Sequence, residues 1–466
     1  MQTSGKHGPP FTAEEADMVT AAGTPAYRAA PARPPVGYQT MSSFGDVLVP
    51  VLLVYAILLP AGLAVQLGSV ALPPYRLATL LLLPFAFAEM VRRKISPTVP
   101  DILIIAGSFW GLGAMIVTSG VADGIEAGGS FVVDGLGCYL IGRAYLTDVR
   151  RLRKLLVAIL PGVLVITVIL VIEAVSHKLL IAPLFPQRAA LWNLYETRFG
   201  LLRARAAFPH SIAAGLFMGS LLSLYFMSRL GRSGRNLGVL AASGALFTGS
   251  SAAYLTIAGL SFLMAYKSFF NLVLRTRERL IYLFYAAVLL LGFLEMFTGR
   301  GAIRTLINFL AFDKGSAYYR LLIWTYGTAS VEKHPLFGIG NAALPRPRWM
   351  LRETIDNHWL ALAVRYGLPT AVLIGLGVMM AVAYCVMRNT RLNDYDRTTT
   401  LGAVFALLAL SLMAWTSGLW ANHVAWYMLI AGTVVALANQ LPKRQHAPAR
   451  RPQPPRVTQL RSHRVA

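Results

Sequence analysis

Acidic residues are the scarcest charged groups in this chain. Against 43 lysines and arginines stand only 20 aspartates and glutamates, and charges of both signs fill 14% of the 466 positions. Soluble proteins average about 25% charged residues, so a soluble globule of this length is excluded. Cysteine is nearly missing. Cys138 and Cys385 lie far apart, each in an apolar run, and read as packing residues rather than a disulfide. Histidine and cysteine nowhere cluster with the spacing of a zinc site. The first 44 residues are rich in Ala, Pro, Gly and Thr and lack the compact basic start and apolar core of a signal peptide.

What the chain has instead is apolar length. Hydrophobic residues make up 56% of it and the mean hydropathy is +0.57. Repeated apolar stretches of about 20 residues suit helices crossing a hydrocarbon core of ~30 Å. Backbone groups in lipid must be satisfied within each span, and runs such as 152–175 are continuously apolar rather than alternating, so a β-barrel is excluded. The predicted fold class is therefore all-α, a polytopic membrane bundle of about twelve transmembrane helices. The spans fall at 46–66, 75–91, 99–119, 128–146, 152–175, 208–227, 236–247, 251–266, 280–297, 359–387, 398–415 and 422–440. Residues 45–440 form this domain. Residues 1–44 and 441–466 are expected to be disordered cytoplasmic tails, the second strongly basic and resting on anionic lipid.

Orientation follows from the short basic loops, which favour the cytoplasm. Arg92-Arg93-Lys94, Arg150 to Lys154, Arg229 to Arg235, Lys267 to Arg279 and Arg388 to Arg397 all go inside. That pattern needs a tight helical hairpin turning at Thr248-Gly249-Ser250-Ser251. The net charge of +23 is thus spread along span flanks and the C-terminal tail, which argues against a nucleic-acid partner.

Two outward segments break the rule. Residues 177–207 carry Lys178, Arg188, Arg198, Arg203 and Arg205 against Glu196 alone. The long loop 298–357, between spans 9 and 10, carries Arg300, Arg304, Lys314, Arg320, Lys333, Arg346, Arg348 and Arg352 against four acids. Without these two segments the outward side keeps only Arg76 and Arg365, so the anomaly is local. Cations placed against the orienting rule suggest an anionic substrate at the outer face.

Residues in the long loop carry a resemblance. Arg320 and Trp324, followed by His334-Pro335-Leu336-Phe337-Gly338-Ile339-Gly340, resemble the "R-x3-W … hP-x-x-G-x-G" pattern of the O-antigen ligase and O-antigen polymerase superfamily. Asp356-Asn357-His358-Trp359-Leu360 and then Arg365-Tyr366-Gly367-Leu368-Pro369 are similar to its "H-N-x-Y-L … G-L-x-G" segment. Upstream, Arg203-x-Arg205 leading to Phe208-Pro209-His210 resembles the family's arginine before a span, and Gly249-Ser250-Ser251-Ala252 stands where members read "S-R-G". The likeness covers residues 195–440. Two positions depart from it: aligned on Gly367, the family's histidine falls on Asp356, with His358 two residues later, and its arginine after the serine is Ala252.

The resemblance implies a metal-independent, GT-C-like membrane glycosyltransferase without cofactor. Its donor would be a glycan on polyprenyl (undecaprenyl) diphosphate. Its acceptor would be a sugar hydroxyl or lipid-core sugar, reached at the periplasmic face of the bacterial inner membrane, with polysaccharide export or chain-length proteins as partners. Outward segments offer no Asp-x-Asp pair for Mg²⁺, and arginine can stand in because guanidinium matches phosphate oxygens bidentately. Arg203, Arg205 and Arg320 are the predicted diphosphate contacts, with His210 and Arg348 as further substrate-binding candidates. Asp356 and His358 are both candidate general bases, and on a helix the two would not share a face. The competing reading is a secondary transporter or flippase of lipid-linked glycans. It would call for internal repeats and intramembrane polar paths, which the chain does not display.

Overall fold

The computed structural model describes residues 44–67, 70–185, 196–276, 278–297, 305, 314–350, 354–389, 392–420 and 422–439. The expected tails (Phe44 apart), Arg188, Arg300, Arg304 and Arg352 lie outside the described residues.

The molecule is a helical bundle, and its described strands form only two short hairpins, Val65–Leu67 with Val70–Leu72 and Thr197–Arg198 with Leu201–Leu202. Its first half runs α1 (Leu48–Leu58), α2 (Pro74–Arg92), α3 (Val99–Ser119), α4 (Val121–Val132), α5 (Cys138–Tyr145) and α6 (Val149–Ser176). The middle holds α7 (Ser211–Met227), α8 (Arg232–Ala242), α9 (Ser251–Leu272) and α10 (Leu280–Phe297). The last part holds α11 (Lys314–Lys333), α12 (His358–Tyr366), α13 (Leu368–Asn389), α14 (Asp394–Met413) and α15 (Asn422–Ala438). Seven of these, α2, α3, α6, α9, α10, α13 and α14, are long and apolar enough to cross a membrane, and three shorter apolar helices accompany them. Leu81, Phe85, Val117, Val165 and Met379 stand exposed on the long ones, an apolar outer surface suited to lipid. This is a helical membrane protein.

Several predicted spans have a finer structure than hydropathy shows. The run at 46–66 is α-helical only to Leu58, with a 3₁₀ turn at Ala61–Leu63, because Leu59 precedes Pro60 and takes the extended conformation that proline imposes on its neighbour. The run at 359–387 is two helices, parted at Gly367 (φ +87°). The run at 236–247 is α8 followed by a 3₁₀ stretch, Ser243–Thr248. Those 17 residues reach about 28 Å because 3₁₀ geometry rises faster per residue, so a short segment nearly crosses. The chain then turns at Gly249 (φ +58°), within the predicted hairpin turn.

Packing relies on small residues. α5 and α15 cross with backbones in contact: a Cβ on Gly432 would lie 2.0 Å from the Tyr139 carbonyl oxygen. Between α4 and α5 a π-helical turn, Val133–Gly137, sets Asp134 facing α2.

The loops sort into two groups, at opposite ends of α7. Beyond Met227, Arg153 donates to the Ser228 carbonyl (2.6 Å) and to Thr399 Oγ1 (2.7 Å), while Tyr395 Oη donates to the Arg229 carbonyl (3.0 Å). These are the basic loops. At the Ser211 end, His423 Nε2 lies 2.5 Å from the Ala213 carbonyl, and segments 196–210 and 248–251 pack together.

Candidate functional site

Two loop motifs make one scaffold. Ile339 and Gly340 donate their backbone N–H groups to the carbonyls of Val364 (2.8 Å) and Arg365 (3.0 Å), and Leu368 donates to Pro335 (2.8 Å). The approach is so close that a Cβ on Gly367 would lie 1.9 Å from the Leu336 oxygen. Gly338 and Gly340 hold φ of +67° and +59°, in the left-handed region that favours glycine. Trp110 Nε1 pins the dock to α3 by donating to the Leu336 carbonyl (2.9 Å). His334 is exposed. The "hP-x-x-G-x-G" string therefore shapes a support.

Above this dock, α11 packs on α12 around a small second core of Ile323, Leu344, Met350, Ile355, Leu360 and Val364. The N-terminus of α12 is capped by Asn357, whose Oδ1 accepts the Leu360 N–H (3.0 Å). Capping thus falls to Asn357 and leaves the Asp356 carboxylate without a hydrogen bond among the described residues. Asp356 lines a narrow cleft of about 10 Å³ with Arg320, Trp324, Asn357, Trp415 and Thr416.

Arg320 is the cation of that cleft. Its Nε is buried and makes no hydrogen bond among the described residues. Burial pushes the guanidinium pKa below its usual value, Asp356 pulls it back up, and a second arginine, Arg198, opposes that. Arg198 comes from the other cationic segment. Its Nη1 donates to the Gly249 carbonyl and to Ser251 Oγ, both at 3.1 Å. A guanidinium thus reaches Ser251 from a distant segment, beside the position where the family pattern carries arginine and this chain has Ala252. Arg203 packs against Gly249, where a Cβ would lie 2.9 Å from its Cγ, and pairs with Glu196. Burial lowers the Arg203 pKa and Glu196 opposes the shift.

The remaining predicted residues lie elsewhere. Arg205 is buried, gives Nη1 to the Pro209 carbonyl (3.2 Å), and lines a separate small cleft with residues 60–62 and 206–209. His210 caps α7, its Nδ1 accepting the Ile212 N–H (3.1 Å). Arg348 is exposed. Glu173, at the end of α6, is a residue that motif reading did not select. Fully buried, it accepts the backbone N–H groups of Leu180, Arg205 and Ala206 at 2.8–2.9 Å, so it anchors the first cationic segment. Its one sequence signal is a lone acid in an apolar run.

His358 faces away from Asp356. It lines a cavity of about 530 Å³ together with Arg76, Asp134, Asn341, Tyr366 and Trp420. Burial pushes its imidazole pKa down to about 4, so the ring is neutral at pH 7. In this cavity Arg76 grips Asp134 through Nε (2.8 Å) and Nη2 (2.6 Å), and Tyr75 Oη donates to the same carboxylate (3.1 Å). Among the described residues no group of three or more His, Cys, Asp or Glu is placed to hold a metal ion.

Residues 237–375 match the family model of O-antigen ligase. The chain carries a domain of the O-antigen ligase family. The matched segment contains Arg320, Asp356 and His358, whereas Arg198, Arg203 and Arg205 precede it. Comparison with curated proteins returns no match. The match supports a function of the O-antigen ligase and polymerase type in general.

Proposed function

We propose that this protein is a membrane glycosyltransferase acting on a glycan carried by polyprenyl diphosphate, at the outer face of the cytoplasmic membrane. The acceptor hydroxyl oxygen attacks the anomeric carbon of the donor sugar. The bond from that carbon to the diphosphate oxygen breaks, its electron pair leaves with the diphosphate, and the hydroxyl proton passes to Asp356. The product is a lengthened or transferred glycan plus polyprenyl diphosphate.

One observation carries this reading: Arg320 and Asp356 share a cleft inside the family domain, with Arg198 within electrostatic reach. Charge that develops on a leaving diphosphate is best met by cations fixed in advance. Asp356 is the base in this reading because it lines the cleft beside Arg320, while His358 lines the other cavity. Arg203, paired with Glu196, and Arg205, bonded to the Pro209 carbonyl, act by fixing the segment that presents Arg198.

The test is reconstitution of purified protein with a polyprenyl-diphosphate glycan and its acceptor, with products read on a gel. Transfer is expected, and it persists in EDTA because arginines take the place of a metal. Wild-type rates in both Arg320→Ala and Asp356→Asn would overturn the proposal.

A further inference from the structure

The 530 Å³ cavity and the Arg320 cleft share a wall, but the arginines of the cavity are hydrogen-bonded within the protein whereas Arg320 Nε is not among the described residues. Residues 354–358 form that wall: Thr354, Ile355 and His358 line the cavity, Asp356 and Asn357 the cleft. The cavity's guanidiniums are already engaged, Arg76 by Asp134 and Arg365 by the carbonyls of Gly340 (2.9 Å) and Ala342 (3.3 Å). A diphosphate entering here would have to strip Arg76 from a buried carboxylate, a costly exchange. An adjoining pocket of about 300 Å³ shares Arg76, Ala127, Ser130 and Asn341 and adds Asp123 and Glu126, which repel anions further.

What the cavity offers is suited to uncharged hydroxyl groups. The Asn341 amide and Ser130 hydroxyl both donate and accept, and a neutral imidazole at His358 does the same. Phe131 stacks on Tyr366 with ring centroids 4.2 Å apart, and Trp420 supplies another aromatic wall. Sugars present apolar C–H faces to such rings and hydroxyls to such polar groups, and the volume falls in the range of small-molecule sites.

We infer that this cavity is the acceptor subsite and that it takes the end of a neutral, hydroxyl-rich glycan, whose reacting hydroxyl crosses the Asn357 rim to Asp356. The inference rests on the glycosyl-transfer reading above. It adds to it a location and a chemical class for the second substrate, with charge pairing as the device that separates the two substrates. Donor diphosphate goes to Arg320, whose Nε is unbonded among the described residues; acceptor sugar goes where Arg76 is closed on Asp134.

Two measurements test it, using full-length protein in detergent and a soluble oligosaccharide released from the acceptor glycan of the same cells. In the first, tryptophan fluorescence is titrated with the oligosaccharide alone, so no reaction is needed. Ala127→Trp fills the cavity without removing a bond, and Asn341→Ala removes one polar contact. Each is expected to weaken binding at least tenfold, and oxidation of the oligosaccharide's primary hydroxyls to carboxylates should weaken it similarly in the wild type. Undiminished binding in both variants, or tighter binding of the oxidised glycan, overturns the inference. In the second, transfer is followed with donor and acceptor varied separately. The acceptor KM rises tenfold or more in both variants while the donor KM holds; a rise in the donor KM alone overturns it. A wild-type protein that binds the oligosaccharide but never cleaves donor would sink the glycosyl-transfer reading and leave the cavity assignment standing.

Discussion

Arg76 and Arg320 are both arginines set against an aspartate, yet one pair is closed and the other open. Arg76 spends both faces of its fork on Asp134, with Tyr75 completing the carboxylate's shell. Arg320 feels Asp356 electrostatically but does not bond to it, and its buried Nε has no partner among the described residues. A closed, bidentate pair spends its charge on structure. Polar groups buried without partners cost free energy, and in a cleft beside a carboxylate such a group is a candidate for binding a ligand. The contrast separates a wall of the bundle from the cleft proposed to meet the donor, although in sequence the four residues look alike.

The largest effects should come from the open pair. Asp356→Asn removes the proposed base and should lower kcat by about 10²–10⁴-fold, the usual contribution of a positioned proton acceptor. Arg320→Ala should cost about 10²–10³-fold, the scale of losing one preorganised donor to a developing anion. Arg320→Lys should recover only part of that, since an ammonium lacks the fork. Initial transfer rates at saturating donor check all three.

Breaking the closed pair should act on stability instead. Arg76→Ala strands a buried carboxylate and should destabilise the bundle by about 3–5 kcal/mol, read as a lower melting temperature in detergent. The double change Arg76→Met with Asp134→Leu should restore most of that loss. If Arg76→Ala were to fold normally and lose transfer as Arg320→Ala does, the distinction between the pairs would fail.

Much of this was legible in the amino-acid order. Apolar runs announced the long helices, and the cationic anomaly pointed to the two segments that supply Arg198, Arg203 and Arg320. Three-dimensional pairing was not legible. Hydropathy cannot see that Gly367 cuts one apolar run in two, because the break serves a contact with Leu336 made 31 residues earlier. Nor can spacing tell that Arg198 reaches Ser251, or that Glu173 holds the segment carrying Arg205. Gly367→Ala should accordingly strain the dock by about 1–3 kcal/mol from its positive φ alone. Protease sensitivity of the 334–340 loop and a fall in transfer should appear together, because that dock supports the Arg320 cleft.

The smallest expected effect sharpens the contrast between Asp356 and His358. With its pKa down at about 4, against an ordinary 6.5, folded His358 stays neutral while the unfolded chain takes up a proton. Between those values the unfolded state binds more protons, so stability is fully present above about pH 6.5 and is lost as pH falls toward 4. From pH 7 to pH 5 this one residue should remove about 2 kcal/mol. His358→Gln, which cannot titrate, should flatten that part of the melting-temperature profile while lowering kcat far less than Asp356→Asn does. A variant that instead matched Asp356→Asn in rate loss, with an unaltered stability profile, would move the base to the imidazole and would make the larger cavity, rather than the Arg320 cleft, the place where the proton leaves the acceptor.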